Sequence, residues 1–318
     1  MAYARARAAI RLAGVVWALS GPAGAMAEGP IAGGTGMAGP VAAGPVTAAP
    51  AAWSFKLGGL QLTALRDGGF VTPNDGGDFG SKAGPAAVAA LLAGSGAATD
   101  RISLDVSALI VRMPGHLVLL DTGLGPADHG ALRQSLALAG VSPGEVTDVL
   151  ITHAHGDHVG GLLGEDGRSA FPRATIRLSV REWAWMRAQA ETRALAAVIS
   201  PRVRAFEPGK PILPGITPIA LYGHTPGHVG YEIVSRGERL EDIGDTAHST
   251  VVNLARPDWT GGMDLDPPAG AATRRRALEH LAATRELVFA PHFPFPGVGR
   301  IEAKGGGFTW KPAPDTRR

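Results

Sequence analysis

Histidine and aspartate side chains cluster in one short stretch of the sequence, THAHGDHVGG at residues 152–161. In an extended chain, residues i and i+2 project to the same side, so His153 and His155 can bind one metal ion. If the chain then bends at the glycine and turns into a helix, Asp157 and His158 can face a second metal ion. Imidazole and carboxylate ligands without thiolate suit zinc, and also iron, manganese or cobalt. The alternative, a polar loop or hydrogen-bonded core histidines, fits poorly because the cluster directly follows an apolar strand.

Two metal ions need more ligands than this loop supplies, and three further candidates each follow a predicted strand. His224 lies in the sequence GHTPGH, Asp245 follows a glycine, and His292 follows an apolar strand and a proline. A carboxylate can bridge two cations, and Asp245 is the natural candidate. Asp242 is the alternative bridge.

Two divalent cations a few ångströms apart lower the pKa of a bridging water, so hydroxide is available near neutral pH. That metal-bound hydroxide could attack a carbonyl or phosphoryl centre while a cation stabilises the developing charge. Asp157 is a predicted ligand and also the predicted catalytic residue, which orients the hydroxide or carries its proton. The chain contains no cysteine, which excludes thiol nucleophiles, disulfides and iron–sulfur clusters.

The elements that must position these side chains are hairpins interspersed with helices. Strands are predicted at Phe55–Leu57, Leu60–Leu65, Ser107–Arg112, Leu117–Leu120, Val149–Thr152, Thr175–Ser179, Ile216–Leu221, Val229–Ser235, Arg239–Ile243, Leu287–Ala290 and Ile301–Trp310, and helices at Ala131–Ala139, Arg181–Val198 and Arg274–Ala283. The pattern predicts an α/β protein in which two mixed sheets pack face to face and helices cover the outside.

The N-terminal part of the 318-residue chain predicts export. Residues 1–27 contain three arginines and no acid, then a short apolar run and an Ala-Met-Ala cleavage site, which is typical of a signal peptide. We therefore expect cleavage near Ala27, a secreted or periplasmic protein, and no stable membrane anchoring. Residues 28–52, rich in Gly, Pro and Ala, predict a disordered linker, and residues 53–318 the hydrolase domain.

Charge argues against a nucleic-acid partner. The formal net charge is +2, and the arginines of the predicted signal peptide account for all of that surplus. The remaining chain therefore offers no overall electrostatic footprint for a phosphate backbone. A small-molecule substrate is the expected partner.

The motifs together resemble the metallo-β-lactamase superfamily. They are LDTG at residues 120–123, THAHGDHVGG at 152–161 and GHTPGH at 223–228, in that order. APHFPFPGVG at 290–299 resembles the subgroup of methyl parathion hydrolase and the quorum-quenching lactonase-like enzymes. The resemblance implies an αββα sandwich, two divalent metal ions with Zn²⁺ first, and a homodimer. It assigns His153, His155 and His224 to one metal ion, Asp157, His158 and His292 to the other, and Asp245 to both.

Several other side chains are candidates for supporting or pocket roles. The resemblance suggests that Asp121 hydrogen-bonds a ligand loop. His228 shares the GHTPGH motif and is expected to support the ligands, and His248 could approach the mouth of the site. Trp183 and Trp185 cannot both face one side of a helix, so one of them, with Trp185 as the candidate, could line the pocket, with core packing as the alternative. Phe293 and Phe295 flank His292 and could form an aromatic wall for the leaving group.

One feature departs from the family pattern, in which the strand before the bridging aspartate is apolar. Here that strand contains Glu241 and Asp242. Two adjacent acids in a buried strand are costly unless they are paired or exposed. We therefore expect either an edge strand or basic partners near these two side chains.

The expected activity is hydrolysis of an arylester, a lactone or an organophosphate triester. An acyl homoserine lactone lactonase is the alternative, although some such enzymes use a tyrosine near the metal ions, and neither Tyr222 nor Tyr231 obviously matches one. A β-lactamase is disfavoured because many of those enzymes use a cysteine ligand. A nuclease of the same superfamily and a catalytically silent metal-binding protein on the same fold are the remaining alternatives.

Overall fold

The computed structural model describes residues 44–314, and the predicted signal peptide lies outside them. Seven strands form one mixed sheet in the order β1 to β7: β1 Gly44–Leu57, β2 Leu60–Pro73, β3 Arg101–Met113, β4 His116–Leu120, β5 Asp148–Leu150, β6 Thr175–Ser179 and β7 Val203–Phe206. Six strands form a second mixed sheet in the order β13-β12-β11-β10-β9-β8: β8 Ile216–Ala220, β9 Val229–Ser235, β10 Glu238–Asp242, β11 Leu287–Phe289, β12 Val298–Lys304 and β13 Gly307–Pro312.

Seven α-helices are found among the described residues: α1 Pro85–Gly94, α2 Leu132–Leu138, α3 Gly156–Val159, α4 Val180–Ala188, α5 Arg193–Ile199, α6 Val252–Ala255 and α7 Pro267–Thr284. No helix among residues 44–314 is long and apolar enough to cross a bilayer.

The two sheets pack face to face. Strand β3 is almost continuously apolar because both of its faces are covered. Leu109 and Val111 point into the core between the sheets. The alternate residues Ala108 and Ile110 point outward, where residues of α2, α4 and α5 cover them. A strand covered on both faces has no polar side to expose.

Helices α6 and α7 cover the outer face of the second sheet. Leu278 and Leu281 of α7 lie in one buried cluster with Val288 of β11 and Ile301 of β12. The predicted fold class, an αββα sandwich of two mixed sheets, is therefore confirmed.

The first strand is longer than predicted. Residues 28–43 of the expected linker lie outside the described residues, but residues 44–52 belong to β1 and not to a linker. Gly44 pairs with Val71 and Ala52 with Leu65 on β2, with a register shift between Thr47 and Ala51. Small residues bury little surface, but here the backbone hydrogen bonds of the ladder hold them to β2.

The helix predicted at 181–198 is two helices. The Ser179 hydroxyl caps the first by accepting a hydrogen bond from the Glu182 amide. At Gln189 the backbone is extended, and the Thr192 hydroxyl donates to the Met186 carbonyl at 2.6 Å. This side-chain bond competes with the helical pattern, so the continuous helix was a wrong prediction.

The expectation of an edge strand for Glu241 and Asp242 is wrong, and among the described residues no basic side chain forms an ion pair with either of them. Strand β10 is an interior strand with β9 and β11 on its two sides. Glu241 is only 4% exposed, and the nearby charged groups that influence its ionisation are the acids Glu286 and Glu232. Asp242 is completely buried, and its Oδ1 accepts a hydrogen bond from the Gly244 amide.

Candidate metal centre

The seven predicted ligands come from loops and a short helix that follow strands of both sheets. The residues after β5 carry His153 and His155, and α3 carries Asp157 and His158. The second sheet supplies His224 after β8, Asp245 after β10 and His292 after β11. The structure brings all seven together in two buried groups that share Asp245.

The first group places three imidazole nitrogens in a triangle. His155 Nδ1 lies 3.0 Å from His153 Nε2 and 2.8 Å from His224 Nε2. His153 Nε2 and His224 Nε2 are 3.2 Å apart. Asp245 Oδ2 completes the group at 3.2 Å from His224 Nε2 and 3.5 Å from His153 Nε2.

The second group contains two imidazoles and two carboxylates. His158 Nε2 lies 3.4 Å from His292 Nε2, and Asp157 Oδ2 lies 3.5 Å from each of these nitrogens. Asp245 Oδ1 lies 3.1 Å from both nitrogens. Asp245 therefore presents one carboxylate oxygen to each group, as a bridging ligand must.

The ligand atoms fit divalent cations better than they fit one another. Each ring nitrogen either carries a hydrogen or offers a lone pair. Among three neighbouring nitrogens, at least two must therefore both be donors or both be acceptors, and such a pair cannot form a hydrogen bond. A central cation removes this conflict, and ligand atoms about 3.3 Å apart are expected around tetrahedral zinc with bonds of about 2.0–2.1 Å. Asp245 Oδ1 is buried and has no hydrogen-bond donor. The two groups therefore suit two divalent cations.

Hydrogen bonds at the far ring nitrogen turn three of the histidines inward. His158 Nδ1 donates to Asp121 Oδ2 at 2.8 Å, and His224 Nδ1 donates to Asp264 Oδ1 at 3.3 Å. His292 Nδ1 donates to the Asp105 carbonyl oxygen at 2.7 Å. In each ring the Nε2 lone pair is left to face the cluster.

Asp121 also fixes the loop that carries the histidines. Its Oδ1 accepts a hydrogen bond from the Thr152 amide at 2.8 Å, and its Oδ2 accepts one from the Thr152 hydroxyl at 2.7 Å. Asp121 therefore lies behind the ligands and hydrogen-bonds their loop, in the place that the sequence suggested for it.

His228 holds Asp245 through the backbone. Burial lowers the pKa of His228 to about 3, and the His224 ring adds to this effect. The neutral ring donates from Nδ1 to the Leu221 carbonyl and accepts at Nε2 from the Asp245 amide, at 2.8 and 3.0 Å. At Gly244, with φ +45°, a Cβ would lie 2.5 Å from His228 Nε2, so only glycine fits before the bridging aspartate.

Asp245 is held in the charged form that a bridging ligand needs. Burial opposes its charge, but before a cation binds, the protonated rings around it, His158 and His292 first, keep the pKa of Asp245 well below its ordinary range. His248 also reaches it, with Nε2 3.1 Å from Asp245 Oδ2 and its ring stacked on His292. Asp242 belongs to neither ligand group, so the structure does not place it as the bridge.

Glu182 is a buried residue of the site that the sequence did not reveal. Its Oε1 accepts a hydrogen bond from the Ala154 amide, and its Oε2 accepts from the Thr225 hydroxyl and the Gly227 amide, at 2.8 to 3.0 Å. One carboxylate thus joins the loop of His153 and His155 to the loop of His224. The only sequence signal was Glu182 three residues after Ser179, which indicates a helix cap and nothing more.

The three aromatic residues predicted to line the pocket lie in different environments. The Trp185 ring lies edge-on to His155, with 5.7 Å between ring centroids. Phe295 is half-buried, with the Arg66 guanidinium 4.6 Å above its ring. Phe293 is completely buried and packs against Trp310 on the outer side of the second sheet, so its predicted role as a pocket wall is wrong.

Two solved structures resemble this chain along nearly their whole length. AidC, a dizinc quorum-quenching lactonase in complex with a product, is 28% identical with a TM-score of 0.79, over 83% of this chain and 98% of AidC. The hydrolase AbOPH, of the beta lactamase superfamily, is also 28% identical, with a TM-score of 0.74, over 84% of this chain and 99% of AbOPH.

Curated relatives match over shorter stretches. Metallo-beta-lactamase domain-containing protein 1 of Rattus norvegicus is 45% identical over 62 residues, which are 20% of this chain and 22% of that protein. Ribonuclease Z of Methanothermobacter thermautotrophicus is 39% identical over 71 residues, 22% of this chain and 21% of the enzyme. This chain therefore matches about a fifth of the length of these relatives.

The sequence profile of one family covers most of the described residues. Residues 103–306 match the metallo-beta-lactamase superfamily, and this range includes all seven clustered ligands. This chain therefore belongs to the metallo-β-lactamase superfamily.

Proposed function

We propose that this chain hydrolyses ester-type bonds of small molecules, namely lactones, arylesters or phosphotriesters, at a centre of two zinc ions. The observation that carries the proposal is the shared carboxylate of Asp245, which offers one oxygen to each of two buried ligand groups. The likeness to AidC, a dizinc lactonase, supports both the metal and the bond type.

The cations, when bound, supply Lewis acidity and lower the pKa of water at the site. The protein holds them in place through the hydrogen bonds behind the ligands. Asp121, Asp264 and the Asp105 carbonyl set the direction of three imidazoles, and His228 sets the position of Asp245. Because these supports are buried, little reorganisation is needed when substrate binds.

Asp157 is the group that we assign to proton transfer. It is 8% exposed, whereas Asp245 is 3% exposed and surrounded by five imidazoles. Its carboxylate can therefore take a proton from an attacking water and pass it to the leaving alcohol. Burial opposes its charge, but His158 and His292 outweigh burial and lower the pKa of Asp157 in the protein without bound cations.

A dedicated acyl homoserine lactonase is the alternative within the same chemistry. One of the two tyrosines in the described chain, Tyr231, is completely buried, and its hydroxyl donates to the Ile151 carbonyl at 2.8 Å. The ring of the other, Tyr222, packs under the Arg181 guanidinium. The positions of these two tyrosines favour a broader arylester or phosphotriester activity, whereas the likeness to AidC favours lactones.

A panel of substrates tests the proposal. Zinc-loaded protein is assayed with p-nitrophenyl esters, δ-lactones, acyl homoserine lactones, methyl parathion, nitrocefin and a structured RNA, with Asp245→Asn as the inactive control. We expect turnover of at least one ester-type substrate and none of nitrocefin or RNA. Turnover of RNA alone would favour a nuclease, and silence across the panel with two zinc ions bound would favour a catalytically silent protein.

We also propose that the chain is exported, that it works on small molecules without nucleic acid or a membrane anchor, and that it forms a homodimer. Export rests on the composition of residues 1–27. N-terminal sequencing of the protein from the periplasm or medium, expected to begin near Glu28, tests export. Light scattering of the purified protein tests the dimer.

A further inference from the structure

Three ligand-type side chains meet on the outer face of the second sheet, outside the metal centre. Glu241 lies on β10, His280 lies in the last turn of α7, and Glu286 lies in the short connection from α7 to β11. One ligand atom of each lies within 4.8 Å of the other two, and His280 Nε2 is 3.2 Å from Glu286 Oε1. Two carboxylates and an imidazole are thus already gathered at one point.

Glu241 has no protein partner for its charge. It is 96% buried, since only 4% of it is exposed. Among residues 44–314, no group donates a hydrogen bond to its carboxylate or forms an ion pair with it. Burial first, and then the carboxylates of Glu286 and of its cross-strand neighbour Glu232, raise the pKa of Glu241 to about 8. A buried carboxylate in this setting is costly without a cation.

The arginines nearby do not supply that cation. Arg239 pairs with Glu232, and Arg300 donates to the Arg285 carbonyl oxygen. Both arginines line the same open cleft as His280 and Glu286, a cleft of about 520 Å³. The cleft provides room for an ion to reach the cluster from solvent.

We propose that Glu241, His280 and Glu286 form a third divalent-cation site, separate from the two-cation centre. Oxygen and imidazole ligands without thiolate select a transition-series cation such as Zn²⁺ or Mn²⁺. Three protein ligands leave coordination positions for water, which is accessible because His280 is exposed. The cation supplies the positive charge that the protein does not give to Glu241.

The position of this site indicates a structural role. Strand β10 runs from Glu241 to the Asp245 loop, and the connection at Glu286 leads through β11 to His292. A cation would tie the end of α7 to the two strands that deliver these ligands. It touches neither substrate nor the reacting atoms, so the site goes beyond the proposed hydrolysis.

Counting cations tests the site independently of turnover. Untagged protein is first loaded with two equivalents of Zn²⁺ and then titrated with Zn²⁺ in a calorimeter, with metal content checked by mass spectrometry. We expect one further equivalent in the wild type and loss of that equivalent in Glu241→Gln and in His280→Ala. Glu241→Gln keeps the side-chain shape, and His280 is exposed, so both variants are expected to fold.

The matched control is Glu279→Gln, an exposed carboxylate next to His280 on the same helix, which should keep the third equivalent. All variants should keep the first two equivalents. The site is rejected if the wild type binds no third equivalent, or if the third equivalent persists in both Glu241→Gln and His280→Ala. Because the readout is metal content, inactivity on every ester would reject the proposed function without bearing on this site.

Discussion

At the scale of single residues, the centre depends on how one aspartate is presented. The Asp245 amide donates a hydrogen bond to His228 Nε2, and the Asp245 carboxylate turns one oxygen to each ligand group. The neighbouring Asp242 is equally buried but accepts from the Gly244 amide and faces neither group. Two acids three residues apart therefore have different roles. The backbone turn at Gly244, which lies between them, places only Asp245 among the ligands.

Asp245→Asn should empty the centre of metal. The amide has no negative charge and only one acceptor oxygen, so it cannot bridge two cations. We expect the bound zinc to fall by two equivalents relative to the wild type after dialysis, by mass spectrometry, and kcat/KM to fall by at least about 10²-fold.

Asp242→Asn is the matched control because it makes the same change at the end of the same strand. Burial and the nearby Asp121 carboxylate raise the pKa of Asp242 well above its ordinary range, so a neutral amide resembles its native state. This variant should keep both zinc ions. Retention of two zinc ions by Asp245→Asn would contradict the bridging role.

At the scale of elements, loops after strands carry the ligands, and Glu182 on α4 joins two of those loops. Both carboxylate oxygens of Glu182 accept hydrogen bonds. Glu182→Gln replaces one of these oxygens by an NH₂ group, which cannot accept the hydrogen bond made there. We expect zinc affinity to fall about 10–100-fold and the free energy of unfolding to fall by about 1–3 kcal/mol. Competition with a chelating dye, well below the melting temperature, measures the affinity.

Glu191→Gln, an exposed acid between α4 and α5, controls for loss of one negative charge near this helix. It should leave both zinc affinity and stability unchanged. If Glu182→Gln lost stability but bound zinc as tightly as the wild type, Glu182 would be a packing residue without influence on the ligand loops.

The elements also show how far the sequence could predict this protein. The ligands were predictable because His and Asp recur shortly after predicted strands, a local pattern that needs no tertiary contact. The contacts of Glu182 were not, because its partners lie 28 to 45 residues away in sequence. Strand β1 extends to Gly44 because β2 offers it a ladder, and no composition of Gly, Pro and Ala predicts such a partner. The break at Gln189 depends likewise on one hydrogen bond of Thr192.

At the scale of the whole molecule, the two ligand groups lie between the two sheets. The residues 153–158 follow a strand of the first sheet, whereas His224, Asp245 and His292 follow strands of the second. Each ligand group contains members from both sheets. Cations bound here would therefore clamp the sandwich at this edge and stabilise the folded state by mass action.

Removal of the metal ions should lower the melting temperature. Free zinc at about 1,000 times its dissociation constant stabilises by about 4 kcal/mol per site, which corresponds to a shift on the order of 10 °C or more for a domain of this size. Scanning calorimetry with and without chelator measures the shift. Asp245→Asn should show a smaller shift than the wild type, and an equal melting temperature for the wild type in both buffers would argue against a clamp.

The position of the metal ions tests the central claim most directly. Crystals of the zinc-loaded protein, measured on both sides of the zinc absorption edge, should show two anomalous peaks within about 2.0–2.3 Å of the ligand atoms. One peak should lie among His153, His155 and His224, the other among Asp157, His158 and His292, with one oxygen of Asp245 at each. A single peak at this centre, or no peak there, would contradict the account, whereas a further peak at Glu241, His280 and Glu286 belongs to the separate third site.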